Sequence, residues 1–125
     1  MKILVVEDHP ADLKLAGAVL RMSGHIVGEH ISAEGVVEAI VADKDKPDII
    51  LLDLNLPGMD GLALARQLKA KADTRHIPIV AMTAYPDRYR REELIAAGCE
   101  ICIIKPIDTR ELPKQLEKVA GKQSP

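Results

Sequence analysis

The stretch Ile49-Ile50-Leu51-Leu52-Asp53-Leu54-Asn55-Leu56-Pro57-Gly58-Met59-Asp60-Gly61 decides the fold. Its first four residues are apolar, of strand length and without alternation. That is how a strand covered on both faces reads. Three further runs share this character, at residues 3–6, 79–82 and 101–104. A weaker, more polar run at 26–31 suits a sheet edge. Between the runs lie segments with helical spacing, at 11–23, 33–43, 62–71, 88–97 and 108–119. The first carries Leu13, Ala16, Gly17 and Leu20 on one face and meets Gly24. Strict β-α alternation, five times over, predicts an α/β fold with a parallel sheet and helices on both faces. Right-handed crossovers then apply.

Composition bounds the function. The 125 residues include two tyrosines and no phenylalanine or tryptophan. The core must be aliphatic, and binding of single-stranded nucleic acid by stacked aromatics is excluded. Net charge is −2, so no polybasic field would hold DNA or an anionic membrane. No apolar run approaches the ~20 residues of a membrane span, and the apolar start meets Glu7 and Asp8 too early for a signal peptide. Two cysteines make no disulfide framework. A cytoplasmic protein is expected, with one domain over residues 1–120 and a flexible tail at 121–125.

In an open parallel sheet, ligands bind beyond the carboxyl ends of the strands. Glu7 and Asp8 follow the first run, Asp53 the run at 49–52, Thr83 the run at 79–82, and Lys105 the last. Three carboxylates, a hydroxyl and an ammonium at one edge make a site for a hard cation and a phosphoryl group. Crowded carboxylates repel one another, and a divalent cation relieves that repulsion. An all-oxygen site of this kind suits Mg²⁺ or Mn²⁺. Lys105 offers positive charge to a developing phosphate, and Asp carboxylates accept phosphoryl groups.

Val5-Val6-Glu7-Asp8, Leu51 to Gly61, Met82-Thr83-Ala84 and Ile104-Lys105-Pro106 together resemble the receiver domain of two-component response regulators. The resemblance runs in order along essentially the whole chain. It implies a flavodoxin-like, doubly wound fold with strand order 2-1-3-4-5. It implies Asp53 as phosphoacceptor and Asp8 as a direct metal ligand. Glu7 would act on the metal through water, and the Asn55 backbone carbonyl would complete the set. Lys105 would pair with Asp53 and then with the phosphoryl group, onto which Thr83 would move. A cis Lys105–Pro106 bond is implied, and Asn55 and Tyr85 would tune the lifetime of the acyl phosphate. The donor would be a phosphohistidine on a histidine kinase or histidine phosphotransfer protein. The chain would act as a chemotaxis-type, stand-alone receiver or as one lacking its output domain.

One departure stands out. The family places an aromatic three residues before the lysine, where this chain has Cys102. Output is therefore expected not to depend on a rotating aromatic in the fifth strand. The opposite face of the first helix carries Leu15, Ala18, Val19 and Met22. An apolar second face marks a docking surface, with Leu15, Val19 and Met22 as the expected partner contact.

Other features have plainer readings. Cys99 and Cys102 form a C-x-x-C spacing on a strand, where they should point different ways and stay buried thiols. His9, His25, His30 and His76 lack ligand spacing. Arg88, Arg90 and Arg91 read as a solvated helix face. Pro113 would be the fifth residue of a helix capped by Asp108 and Glu111, costing ~3 kcal/mol, unless that helix begins tightly wound or nearer Pro113. Two other chemistries fit less well. A haloacid-dehalogenase-type phosphatase needs an acid where Asn55 stands. A flavin carrier needs a phosphate loop where Glu7-Asp8-His9-Pro10 would repel phosphate.

Overall fold

A computed structural model describes residues 1–122. Strands β1 (Lys2–Val6), β2 (Ile26–His30), β3 (Ile49–Asp53), β4 (Ile79–Thr83) and β5 (Cys99–Ile104) form one parallel sheet in the order β2-β1-β3-β4-β5. Helices α1 (Pro10–Met22), α2 (Val36–Ala42), α3 (Gly61–Ala70), α4 (Arg91–Ala96) and α5 (Leu112–Lys122) connect and close it. The expected architecture and strand order are present.

The unbroken apolar runs divide between two cores. Ile3, Val5, Ile49, Leu51, Val80 and Met82 pack with residues of α1 and α5. Their neighbours Leu4, Val6, Ile50, Leu52, Ile79 and Ala81 pack with residues of α2 and α3. Successive strand residues point to opposite faces, so a strand needs apolar residues at every position once both faces are covered. On α1, Leu13, Ala16, Gly17 and Leu20 are buried, as the spacing predicts.

Several boundaries differ from the sequence reading. α2 begins only at Val36, because Gly35 takes a left-handed conformation at φ +79° that no helix residue adopts. The expected helix at 88–97 is broken. A 3-10 turn covers Pro86–Arg88, Tyr89 and Arg90 are extended, and α4 starts at Arg91. Glu93 accepts the Arg90 N–H at 3.0 Å and anchors that start. The Pro113 conflict is resolved by a late helix start. Asp108 accepts from the N–H groups of Arg110 (2.9 Å) and Glu111 (3.4 Å) in a preceding turn. α5 then opens at Leu112, and Pro113 sits in its first turn, where a missing N–H costs nothing. The helix continues through Gly121 and Lys122, two of the five residues expected in a tail. Residues 123–125 lie outside the described ones.

The cysteines also depart from expectation. β5 slips register against β4: Ile79 pairs with Cys99, but Val80 pairs with Ile101. The extra residue, Glu100, is a bulge, and a bulge inverts the alternation beyond it. Cys102 therefore packs against the same core cluster that contains Cys99. Both are free thiols.

Gly61 fixes the approach of α3 to β3. A Cβ there would stand 2.6 Å from the carbonyl oxygen of Asp53 and 2.6 Å from Leu54 Cα. Both obstacles are backbone, so neither can rotate away. Gly61→Ala should lower the urea unfolding free energy by about 1–3 kcal/mol, the usual cost of overpacking; an unchanged midpoint would contradict this contact. Burial pushes the Cys99 thiol up to about 11, and burial also raises Cys102. Native Cys99 should resist iodoacetamide at pH 8, its rate rising about tenfold per pH unit with the thiolate fraction. Peptide mass mapping reads this, and labelling at pH 8 as fast as in denaturant would refute it.

Candidate functional site

The carboxyl ends of four strands bring the predicted residues together. Asp53 closes β3 and Thr83 closes β4. Glu7 continues β1, its N–H bonded to the His30 carbonyl at 2.9 Å. Lys105 continues β5, its N–H bonded to the Thr83 carbonyl at 2.8 Å. The Lys105–Pro106 peptide bond is cis. Glu7, Asp53 and Thr83 are buried, although each is polar. One carboxylate oxygen from each of Glu7, Asp8 and Asp53 lies within 4.8 Å of the others.

The Lys105 ammonium sits at the centre. It donates to Asp53 Oδ2 at 3.0 Å, to Asp12 Oδ2 at 3.0 Å and to Glu7 Oε1. Burial lowers its affinity for a proton, but the three carboxylates outweigh burial and hold its pKa above the ordinary lysine value. Burial pushes Glu7 up to about 8, assisted by a hydrogen bond with Asp53 and opposed by Lys105. Burial acts the same way on Asp53. There, hydrogen bonds from Glu7, the Asn55 N–H (2.9 Å) and Lys105 prevail and keep the carboxyl below its usual range. The two neighbouring carboxyls are thus pushed in opposite directions, Glu7 up and Asp53 down. Three crowded carboxyl groups that offer only oxygen ligands make a site that a divalent cation fits.

Thr83 is fixed by a second chain of bonds. Its hydroxyl donates to Asn55 Oδ1 at 2.8 Å and accepts the Tyr85 N–H at 2.9 Å. The Asn55 amide donates to the Tyr89 hydroxyl at 3.2 Å, and that hydroxyl donates to the Leu54 carbonyl at 3.3 Å. Tyr85 is exposed, with the Arg88 guanidinium 4.1 Å above its ring. A cavity of about 460 Å³ lies over the site, and its lining includes Asp8, Asp12, Asp53, Asn55, Tyr85, Lys105 and Pro106.

Not every expected residue joins this group. Cys102 lies in a groove of about 420 Å³ between β5 and α4, behind Thr83, which lines its wall. Leu15 and Met22 are exposed on α1, and Val19 is half-buried. Two participants escaped the sequence reading. Asp12 lies in the first turn of α1 and meets Lys105 across 93 residues, so no local spacing marks it. Tyr89 reaches Asn55 only because the chain turns at Pro86–Arg88, which no local pattern announces.

Comparison with known proteins agrees with this geometry. Residues 3–117 match the profile of the response regulator receiver domain. The response regulator PleD of Caulobacter vibrioides is 40% identical over 107 residues, which are 86% of this chain and 23% of PleD. The polar-differentiation response regulator DivK of Brucella anthropi is 34% identical over 120 residues, 95% of each chain. This chain thus spans under a quarter of one relative and nearly all of the other. The receiver domain of sensor histidine kinase PA1611 from Pseudomonas aeruginosa superposes with a TM-score of 0.85 at 32% identity, covering 96% of this chain and 97% of that one. Its crystal structure holds a magnesium ion in the active-site cleft. Strand order, site and sequence agree, and the chain belongs to the response regulator receiver domain family.

Proposed function

We propose that Asp53 accepts a phosphoryl group from a phosphohistidine, on a histidine kinase or histidine phosphotransfer protein, and that the acyl phosphate switches partner binding. The contact of the Lys105 ammonium with Asp53 at 3.0 Å, inside a carboxylate cluster, carries this reading. Asp53 closes β3 with Lys105 against its Oδ2 and its carboxyl held below the usual range, so its oxygen is the nucleophile. The N–P bond breaks as an O–P bond forms on Asp53, and the imidazole departs through the overlying cavity. Lys105 neutralises charge on the transferring group. Glu7, Asp8 and Asp53 would hold Mg²⁺, or Mn²⁺, with the Asn55 carbonyl completing the set. When bound, the ion supplies charge neutralisation to the phosphoryl oxygens.

To reach a phosphoryl oxygen, the Thr83 hydroxyl must release Asn55 Oδ1. Asn55 is then held by Tyr89, whose backbone leads into α4. This route to the surface needs no aromatic at position 102. Asn55 and Tyr85 line the path by which water reaches the acyl phosphate, so they set its lifetime. The exposed Leu15 and Met22, with Val19 between them, are the proposed contact for the phosphodonor protein. Among the described residues no helix is long and apolar enough to cross a membrane, and a cytoplasmic setting accords with phosphotransfer between proteins.

Intact mass after incubation with acetyl phosphate and Mg²⁺ tests the reading. The wild type should gain the mass of one phosphoryl group and Asp53→Asn should gain none. No gain on the wild type, or an equal gain on the variant, would overturn it.

A further inference from the structure

An ammonium has three N–H donors, and in this chain each meets a different carboxylate. Two of the three acceptors belong to the site by every criterion. Glu7 and Asp53 are buried and lie in the carboxylate cluster. Asp12 does not. It stands in the first turn of α1, is 42% exposed, and is no part of the Glu7–Asp8–Asp53 cluster. It nonetheless takes a Lys105 donor at 3.0 Å and forms part of the cavity wall above Asp53. Among the described residues its one other ionic neighbour is the His9 ring, at 3.6 Å and mostly exposed.

We infer that Asp12 is a positioning residue that occupies the solvent-side donor of Lys105 and restrains entry of the phosphoryl group. This rests on Asp53 as the acceptor. Glu7 and Asp53 already orient the ammonium from below, so the third carboxylate adds little to its placement. It does add a negative charge beside the path of an anionic phosphodonor. A phosphoryl oxygen must also displace Asp12 from Lys105 before it can use that donor. Asp12 therefore opposes reaction with small free donors. It also ties the lysine to the first turn of α1, the helix proposed to receive the donor protein. Contact there can draw Asp12 off the ammonium.

The test compares initial rates of phosphoryl gain from acetyl phosphate with Mg²⁺, by intact mass, for the wild type, Asp12→Asn, Asp12→Ala and Asp12→Glu. The carboxylate of Asp53 attacks phosphorus, and acetate leaves with the electrons of the broken O–P bond. Both neutral variants should react roughly tenfold faster at low salt, the scale of one unit charge removed from beside a phosphoryl group. The gain should shrink in 1 M salt, and Asp12→Glu should return to the wild-type rate. A merely structural role would give neither the salt dependence nor the rescue. Neutral variants that fold with an unchanged melting temperature yet react no faster than wild type would overturn the inference while leaving Asp53 intact as the acceptor. A wild type that takes no phosphoryl group would overturn both.

Discussion

The site is organised by one half-buried cation among carboxylates. Without Lys105, Glu7 and Asp53 would face each other in a space that water hardly enters. Such uncompensated charge costs several kcal/mol. The fold supplies the lysine from one side of the sheet and the carboxylates from the other, across β4. Strand order 2-1-3-4-5 makes that meeting possible, because β1, β3, β4 and β5 lie in sequence across the sheet. The upward push on the Glu7 carboxyl, by burial and by Asp53, marks the remaining imbalance. One lysine cannot neutralise three acids, and the remainder is what a divalent cation answers.

The scarcity of aromatics takes on a position in the structure. Tyr85 lies nearer Thr83 in sequence, and the family resemblance implies a tuning role for it. The fold gives it an exposed place, stacked with Arg88, and bonds only its backbone to Thr83. Tyr89 is the tyrosine whose side chain joins the site, through Asn55. Burial raises its pKa, so its hydroxyl stays protonated and able to donate to Leu54. Cys102, where the family carries its aromatic, instead lines a groove whose walls include Leu94 and Ile95. The aromatic that touches the site thus comes from the segment before α4 and not from β5.

What the sequence could reveal followed the range of the forces involved. Covered strands announce themselves by unbroken apolar runs, and the site acids follow those runs directly, so Glu7, Asp8, Asp53, Thr83 and Lys105 were legible. The buried face of α1 was legible from spacing. The bulge at Glu100 was not, because it is a mismatch between two strands and neither shows it alone. It turned Cys102 to the side of Cys99 against the expected alternation. The late start of α5 was only half visible: Pro113 signalled a conflict, and the turn held by Asp108 resolves it. Asp12 and Tyr89 meet their partners across 93 and 34 residues of chain, which no local pattern encodes.

The central claim is that Lys105 and Thr83 are poised around Asp53 for a phosphoryl group. A crystal structure with Mg²⁺ and beryllofluoride measures it most directly. The account predicts beryllium bonded to an Asp53 carboxylate oxygen, Lys105 Nζ donating to a fluorine, and the Thr83 hydroxyl turned from Asn55 Oδ1 to another fluorine. Beryllofluoride bound elsewhere, or bound to Asp53 with Thr83 still donating to Asn55, would contradict it.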